Sequence, residues 1–140
     1  MYLGIIIVFN NDEENLNVPK MVDLFNTLNL KICLVNNGSL DKTIDILQRI
    51  KYQLNTDSDF FIVDNKFDKG IKNAVKSGVR FLLNENEFDF IVYLKSNSIG
   101  QLNKLKKKIL DLKNNYQHTL VSKNPKRSVL KNVYSIQDFI

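Results

Sequence analysis

A single cysteine among 140 residues leaves Cys33 without a partner, so an internal disulfide is excluded. Cys33 lies inside an apolar run, the setting of a buried and unreactive thiol. Two prolines and five glycines are too few for a long disordered linker. No apolar stretch approaches the roughly 20 residues that a membrane-spanning helix requires. The run at residues 3–9 lacks a basic lead-in and a small-residue cleavage site, so it reads as structure and not as a secretory leader. These absences together point to a reducing, cytoplasmic setting. The one histidine, His118, begins an apolar segment and suits a structural role better than that of a general base.

What remains is a globular composition, 44% hydrophobic and 25% charged. A chain of this length forms one domain and buries roughly two-thirds of its unfolded surface. The net charge of +5 favours anionic partners such as nucleotide phosphates, nucleic acid or anionic lipid. Lysines gather at Lys104, Lys106, Lys107 and Lys108, and again at Lys123, Lys126 and Lys131 with Arg127. No aromatic side chains interleave with them and no nucleic-acid motif is present. A solvated helix face accounts for these runs; a polyanion-binding module is the alternative.

Two periods alternate along the chain. Runs at residues 3–9, 31–35, 60–63 and 90–94, apolar except for Lys31, read as strands. Between them, Val18, Met21, Val22, Phe25 and Leu28 recur at helical spacing, as do Ile44, Leu47, Ile50 and Leu54. Ile71, Ala74, Val75, Val79, Leu82 and Leu83 mark a third helix, and Leu102, Leu105, Ile109 and Leu112 a fourth. Asn17 can cap the first helix, and Pro19 suits its first turn. Thr119–Val121 offers a fifth strand, while Val129, Val133, Ile136 and Phe139 mark a tail of either type. This alternation predicts an α/β fold over residues 1–140, with a mainly parallel sheet covered by helices on both faces. Such sheets bind ligands beyond the carboxyl ends of their strands, where strand order reverses. The loops to watch are then 9–14, 36–43, 64–70, 95–100 and 122–126.

The loop Asn36-Asn37-Gly38-Ser39-Leu40-Asp41-Lys42-Thr43 carries the most information. Gly38 permits a tight turn, and Ser39, Asp41 and Thr43 offer oxygens to the free amides of the next helix. An Asn amide at a strand end both donates and accepts, as reading a base edge requires. A capped turn without a ligand satisfies the same pattern.

With Val8-Phe9-Asn10-Asn11-Asp12-Glu13 before this loop and Gly70-Ile71-Lys72-Asn73-Ala74-Val75-Lys76-Ser77-Gly78 after it, the chain resembles the family-2 glycosyltransferases over about residues 3–115. The resemblance implies a three-layer, Rossmann-like nucleotide-diphospho-sugar transferase fold. It also implies a nucleotide-sugar ligand, possibly of the uridine diphosphate type. Phe9 matches the aromatic position near the base, Asn37 the residue that reads it, and Gly70 the glycine where the chain passes the nucleotide. Asn10 belongs at the rim, and the charges of Lys69 and Lys72 suit phosphates.

The departures bear on activity. Where the family has Asp-x-Asp, this chain reads Lys95-Ser96-Asn97. The missing carboxylates normally hold a divalent cation, magnesium or manganese, on the diphosphate. Lys95 either takes over the electrostatic role of that ion or marks lost chemistry, a pseudoenzyme; the second reading is favoured. The family's acceptor-binding half, which supplies the base, has no counterpart here, and no nucleophile–base pair can be assigned. Asp12, Glu13 and Glu14 form an acidic cluster that a solvated loop explains. A protein partner or a second copy of the chain would supply what is missing. A receiver-like signalling domain is the competing fold, with Asp12 and Glu13, Asp64, Ser96 and Lys123 in the acidic, phosphorylated, hydroxyl and lysine roles.

Overall fold

Seven consecutive buried residues, Leu3–Phe9, form strand β1. A strand with no polar face belongs in the interior of a parallel sheet, covered on both sides. A computed structural model of the chain, which describes residues 3–28, 30–55, 59–105, 107–108 and 132–138, places it there. The other strands are β2 (Lys31–Asn37), β3 (Phe60–Asn65), β4 (Phe90–Lys95) and β5 (Val133–Ser135). The sheet order is β3-β2-β1-β4-β5, and every neighbouring pair is parallel.

Because side chains alternate along a strand, β1 feeds two cores. Leu3, Ile5, Ile7 and Phe9 join one cluster with helix α1 (Val18–Leu28) and helix α2 (Thr43–Gln53). Ile6 and Val8 join the other with helix α3 (Gly70–Glu85). The connections through α1 and α2 step outward from β1 in one direction. The connection through α3 carries the chain back across β1, so a right-handed crossover sets α3 on the opposite face. The result is a three-layer α/β sandwich. Its α3 layer packs tightly: a Cβ at Gly78 would meet Ile6 at 3.0 Å and Val35 at 3.1 Å. The Gly-x-x-x-Ala-x-x-x-Gly pattern therefore serves packing at its Ala74 and Gly78 positions.

Strands β2 and β3 run two residues further than their apolar cores suggest, because Asn36 and Asn37 stay in register with Asp64 and Asn65. Chain continuation after β4 also differs in detail. A 3₁₀ turn, Ser96–Gln101, precedes the helical residues 102–105 and 107–108, of which Leu102 and Leu105 are buried. The expected strand at Thr119–Val121 lies outside the described residues, as do His118 and the basic cluster from Lys123 to Lys131. The tail of either type resolves into β5, followed by a 3₁₀ turn that buries Ile136.

The observed order is that of the doubly wound nucleotide-binding sheet, 3-2-1-4-5, with its switch point between β1 and β4. A receiver requires the order 2-1-3-4-5. Asp64 ends β3, which pairs with β2 alone among the described strands, so it stands apart from the acidic residues after β1. The receiver alternative fails on topology.

Candidate functional site

Beyond Phe9 the chain leaves the sheet through polar residues that tie the first loop to the second. Asn10 Nδ2 donates to Asn37 O at 2.6 Å, and Asn11 N donates to Ser39 Oγ at 3.0 Å. Leu40 N donates back to Asn11 Oδ1 at 2.8 Å. Asp12 N donates to the buried Thr43 hydroxyl at 2.9 Å. Asp41 accepts from the Thr43 hydroxyl, from Thr43 N at 3.0 Å and from Glu13 N at 3.2 Å. These bonds, the Thr43 hydroxyl foremost, hold the Asp41 carboxyl below its ordinary range.

The second loop is tied to the third in the same way. Gly38, at φ +67°, donates its N–H to Asn65 O at 3.0 Å. Asn37 Nδ2 donates to Asp68 Oδ1 at 2.9 Å, while Asn37 Oδ1 accepts from Lys69 N at 3.1 Å. Asp68 Oδ1 also accepts from Gly70 N at 2.9 Å, an Asx-type turn that leads into α3. Both ends of the Asn37 amide are thus engaged by the β3–α3 loop.

At the switch point, alternation along β4 decides which side each residue serves. Leu94 belongs to the α1 and α2 core, whereas Lys95 stands opposite Val8, whose side chain lies in the α3 core. Lys95 is exposed and shares a cavity of about 240 Å³ with Ile71, Ser98, Ser135 and Gln137. Ile71, in the first turn of α3, and Lys95 therefore line one space. Lys95 forms no ion pair with a carboxylate among the described residues, whereas Lys31 pairs with Asp59 at 3.3 Å. On the other side of the β4 tip, a cavity of about 480 Å³ lies between the start of α1 and the 3₁₀ turn. Asn97 and Asp12 line it, and Asp12 Oδ2 accepts from Ser96 Oγ at 2.8 Å across the gap between the β1 and β4 loops.

The residues singled out in the sequence thus fall into two groups. Asn37, Lys69 and Gly70 are joined by hydrogen bonds around Asp68, Asn10 is bonded to Asn37 from the rim, and Lys95 shares a cavity with Ile71, the neighbour of Gly70. Phe9 departs from the expectation: its ring is fully buried in the α1 and α2 core and offers no face to a ligand. Its parity is the reason, since Val8 and not Phe9 is aligned with Lys95. Asn97 lies in the other cavity. The linking roles of Asp68 and Ser96 were missed in sequence; the Asp68-x-Gly70 spacing is the one local signal of the turn. The Lys95-Ser96-Asn97 tip supplies an ammonium, a hydroxyl and an amide. Among the described residues no three His, Cys, Asp or Glu side chains are grouped to hold a metal ion. The donor set does not fit a divalent cation, which prefers carboxylate and carbonyl oxygens.

No protein-family model and no curated protein matches the chain. Among solved structures the chain is similar to S. aureus TarS, a glycosyltransferase, with a TM-score of 0.51 at 15% identity. The match covers 69% of this chain and 16% of TarS, so this chain spans only a small part of that protein's length. The likeness and the strand order show the fold alone, a Rossmann-like α/β sandwich similar to part of that glycosyltransferase. No helix among the described residues is long and apolar enough to cross a membrane.

Proposed function

We propose that the chain binds the nucleoside diphosphate part of a nucleotide sugar at the switch point between β1 and β4, with the Lys95 ammonium in place of a metal ion. The observation that carries this reading is the shared cavity of Lys95 and the first turn of α3. Gly70 N is already bonded to Asp68 Oδ1, so the start of α3 offers an anion its remaining first-turn amides and a positive partial charge, and the Lys95 ammonium adds a full charge. A volume of about 240 Å³ suits a diphosphate better than a whole nucleotide sugar. The nucleoside then extends along the open strand ends past Lys69 and Gly70, where a Cβ at Gly70 would meet nothing within 4 Å. Transfer is weak or lost, because the Asp-x-Asp position reads Lys95-Ser96-Asn97 and supplies no carboxylate for a metal ion.

Calorimetry with uridine and guanosine diphosphates, each with and without manganese, tests the reading. Heat with at least one nucleotide is expected, at an affinity that manganese leaves unchanged. Lys95→Ala is expected to weaken binding about tenfold to a hundredfold, the worth of one charged hydrogen bond. No heat with either nucleotide overturns the proposal.

A further inference from the structure

We infer that Asn37 is a latent deamidation site, closed while the β3–α3 loop is docked, and that its conversion makes an opening of this loop permanent. The inference does not rest on the nucleotide reading. Asn37-Gly38 is the one Asn-Gly step in the chain. In such a step the glycine nitrogen can attack the Asn side chain, because no side chain on the following residue stands in the way. Gly38 N loses its proton and bonds to Asn37 Cγ, the Cγ–Nδ2 bond breaks, and Nδ2 leaves as ammonia. Water then opens the resulting cyclic imide. Opening at Cγ gives isoaspartate or aspartate according to which of the two ring bonds to nitrogen is cut, the side-chain or the main-chain one.

The fold cannot dispense with either residue. Gly38 has φ +67°, and a Cβ there would fall 2.1 Å from Asp68 N. Asn37 donates from Nδ2 to Asp68 Oδ1 at 2.9 Å and accepts at Oδ1 from Lys69 N at 3.1 Å. An ionised carboxylate only accepts, so Asp cannot fill both roles. The same bonds are the protection. Gly38 N–H is committed to Asn65 O at 3.0 Å, and the carboxamide it would attack is clamped at both ends. Asn37 is only 4% exposed, so the water needed for ring opening is kept away as well. Attack therefore requires the β3–α3 loop to leave first. Once it has, the product does not redock: the new carboxylate lacks the donor and meets Asp68 Oδ1 with like charge. In the isoaspartate product the main chain also runs through the former side chain. That displaces the Asn37 main-chain carbonyl, which accepts from Asn10 Nδ2 at 2.6 Å. The tip of β2 then loses its ties to both neighbouring loops.

Incubation of the full chain at mildly alkaline pH, with and without urea, followed by peptide mapping with mass spectrometry, tests this. The peptide bearing Asn37 is expected to convert at least about tenfold more slowly in native protein than in urea. Asp68→Ala, at an exposed position, removes one end of the clamp and is expected to speed native conversion about threefold to tenfold. Measurement well below the urea midpoint of that variant keeps global unfolding out of the comparison. Asn37→Asp reproduces one product directly. Its Lys69 and Gly70 amides are expected to exchange hydrogen faster than in the unmodified chain, with the β1 amides protected as before. Native conversion as fast as in urea overturns the inference, as does an Asp68→Ala rate equal to that of the unmodified chain. Unchanged exchange at Lys69 and Gly70 in Asn37→Asp overturns the claim of permanence.

Discussion

Gly38 and Gly70 show how differently two glycines with the same backbone habit are constrained. Both have positive φ, +67° and +78°. A Cβ at Gly38 would fall 2.1 Å from Asp68 N and 2.4 Å from Phe67 C, both backbone atoms that a rotamer change cannot move. At Gly70 the same atom points into open space. Gly70→Ala is therefore expected to cost only the left-handed penalty of about 1–2 kcal/mol. Gly38→Ala is expected to cost at least about twice that or to prevent folding, and urea denaturation of the two variants decides it. The importance of Asn37-Gly38-Ser39 was legible in the sequence; the work of Asn37 was not. Its partners, Asp68 and Lys69, lie 31 and 32 residues away. Only the fold brings them together, and the amide that a nucleotide-reading motif would expose is spent on holding the β3–α3 loop.

At the scale of elements, β1, β2 and β4 could be read from sequence because burial on both faces leaves unbroken apolar runs, while the half-buried β3 at the sheet's end showed through its Phe60-Phe61-Ile62-Val63 run. Strand β5 could not, since three half-buried residues beside β4 give no period to detect. Nor could the parity of the strand tips, which depends on register between strands. Phe9 and Lys95 each end an apolar run, yet pairing of Val8 with Lys95 sends them to opposite layers. Double-sided burial also governs Cys33 in the centre of β2. Its thiol is fully buried, and burial pushes its pKa up to about 12. Native protein is thus expected to resist thiol reagents at neutral pH, with labelling that tracks global unfolding as urea is raised. Fast labelling without urea would show that the sheet opens locally at β2. The sign of the linkage follows: a raised folded pKa contributes stability that is full below the ordinary thiol value and lost as pH climbs toward about 12. Cys33→Ala is expected to remove that alkaline part of the pH profile.

For the whole molecule, the strand order sets a switch point that any side chains at the tips of β1 and β4 must share, whatever their charge. Topology thus constrains where an anion would sit, while three residues decide how its charge is met. Here the tip reads Lys95-Ser96-Asn97, within a chain whose net charge is already +5. Lys95→Asp replaces the ammonium at that tip with a carboxylate in the cavity shared with Ile71. The position is exposed, so the fold is expected to tolerate the change. In this variant, nucleoside diphosphate binding is expected to fall below that of the unmodified chain. Calorimetry at matched ionic strength isolates this from general screening. Undiminished binding by the variant would mean that Lys95 does not supply the countercharge, and that the α3 amides hold the phosphates unaided.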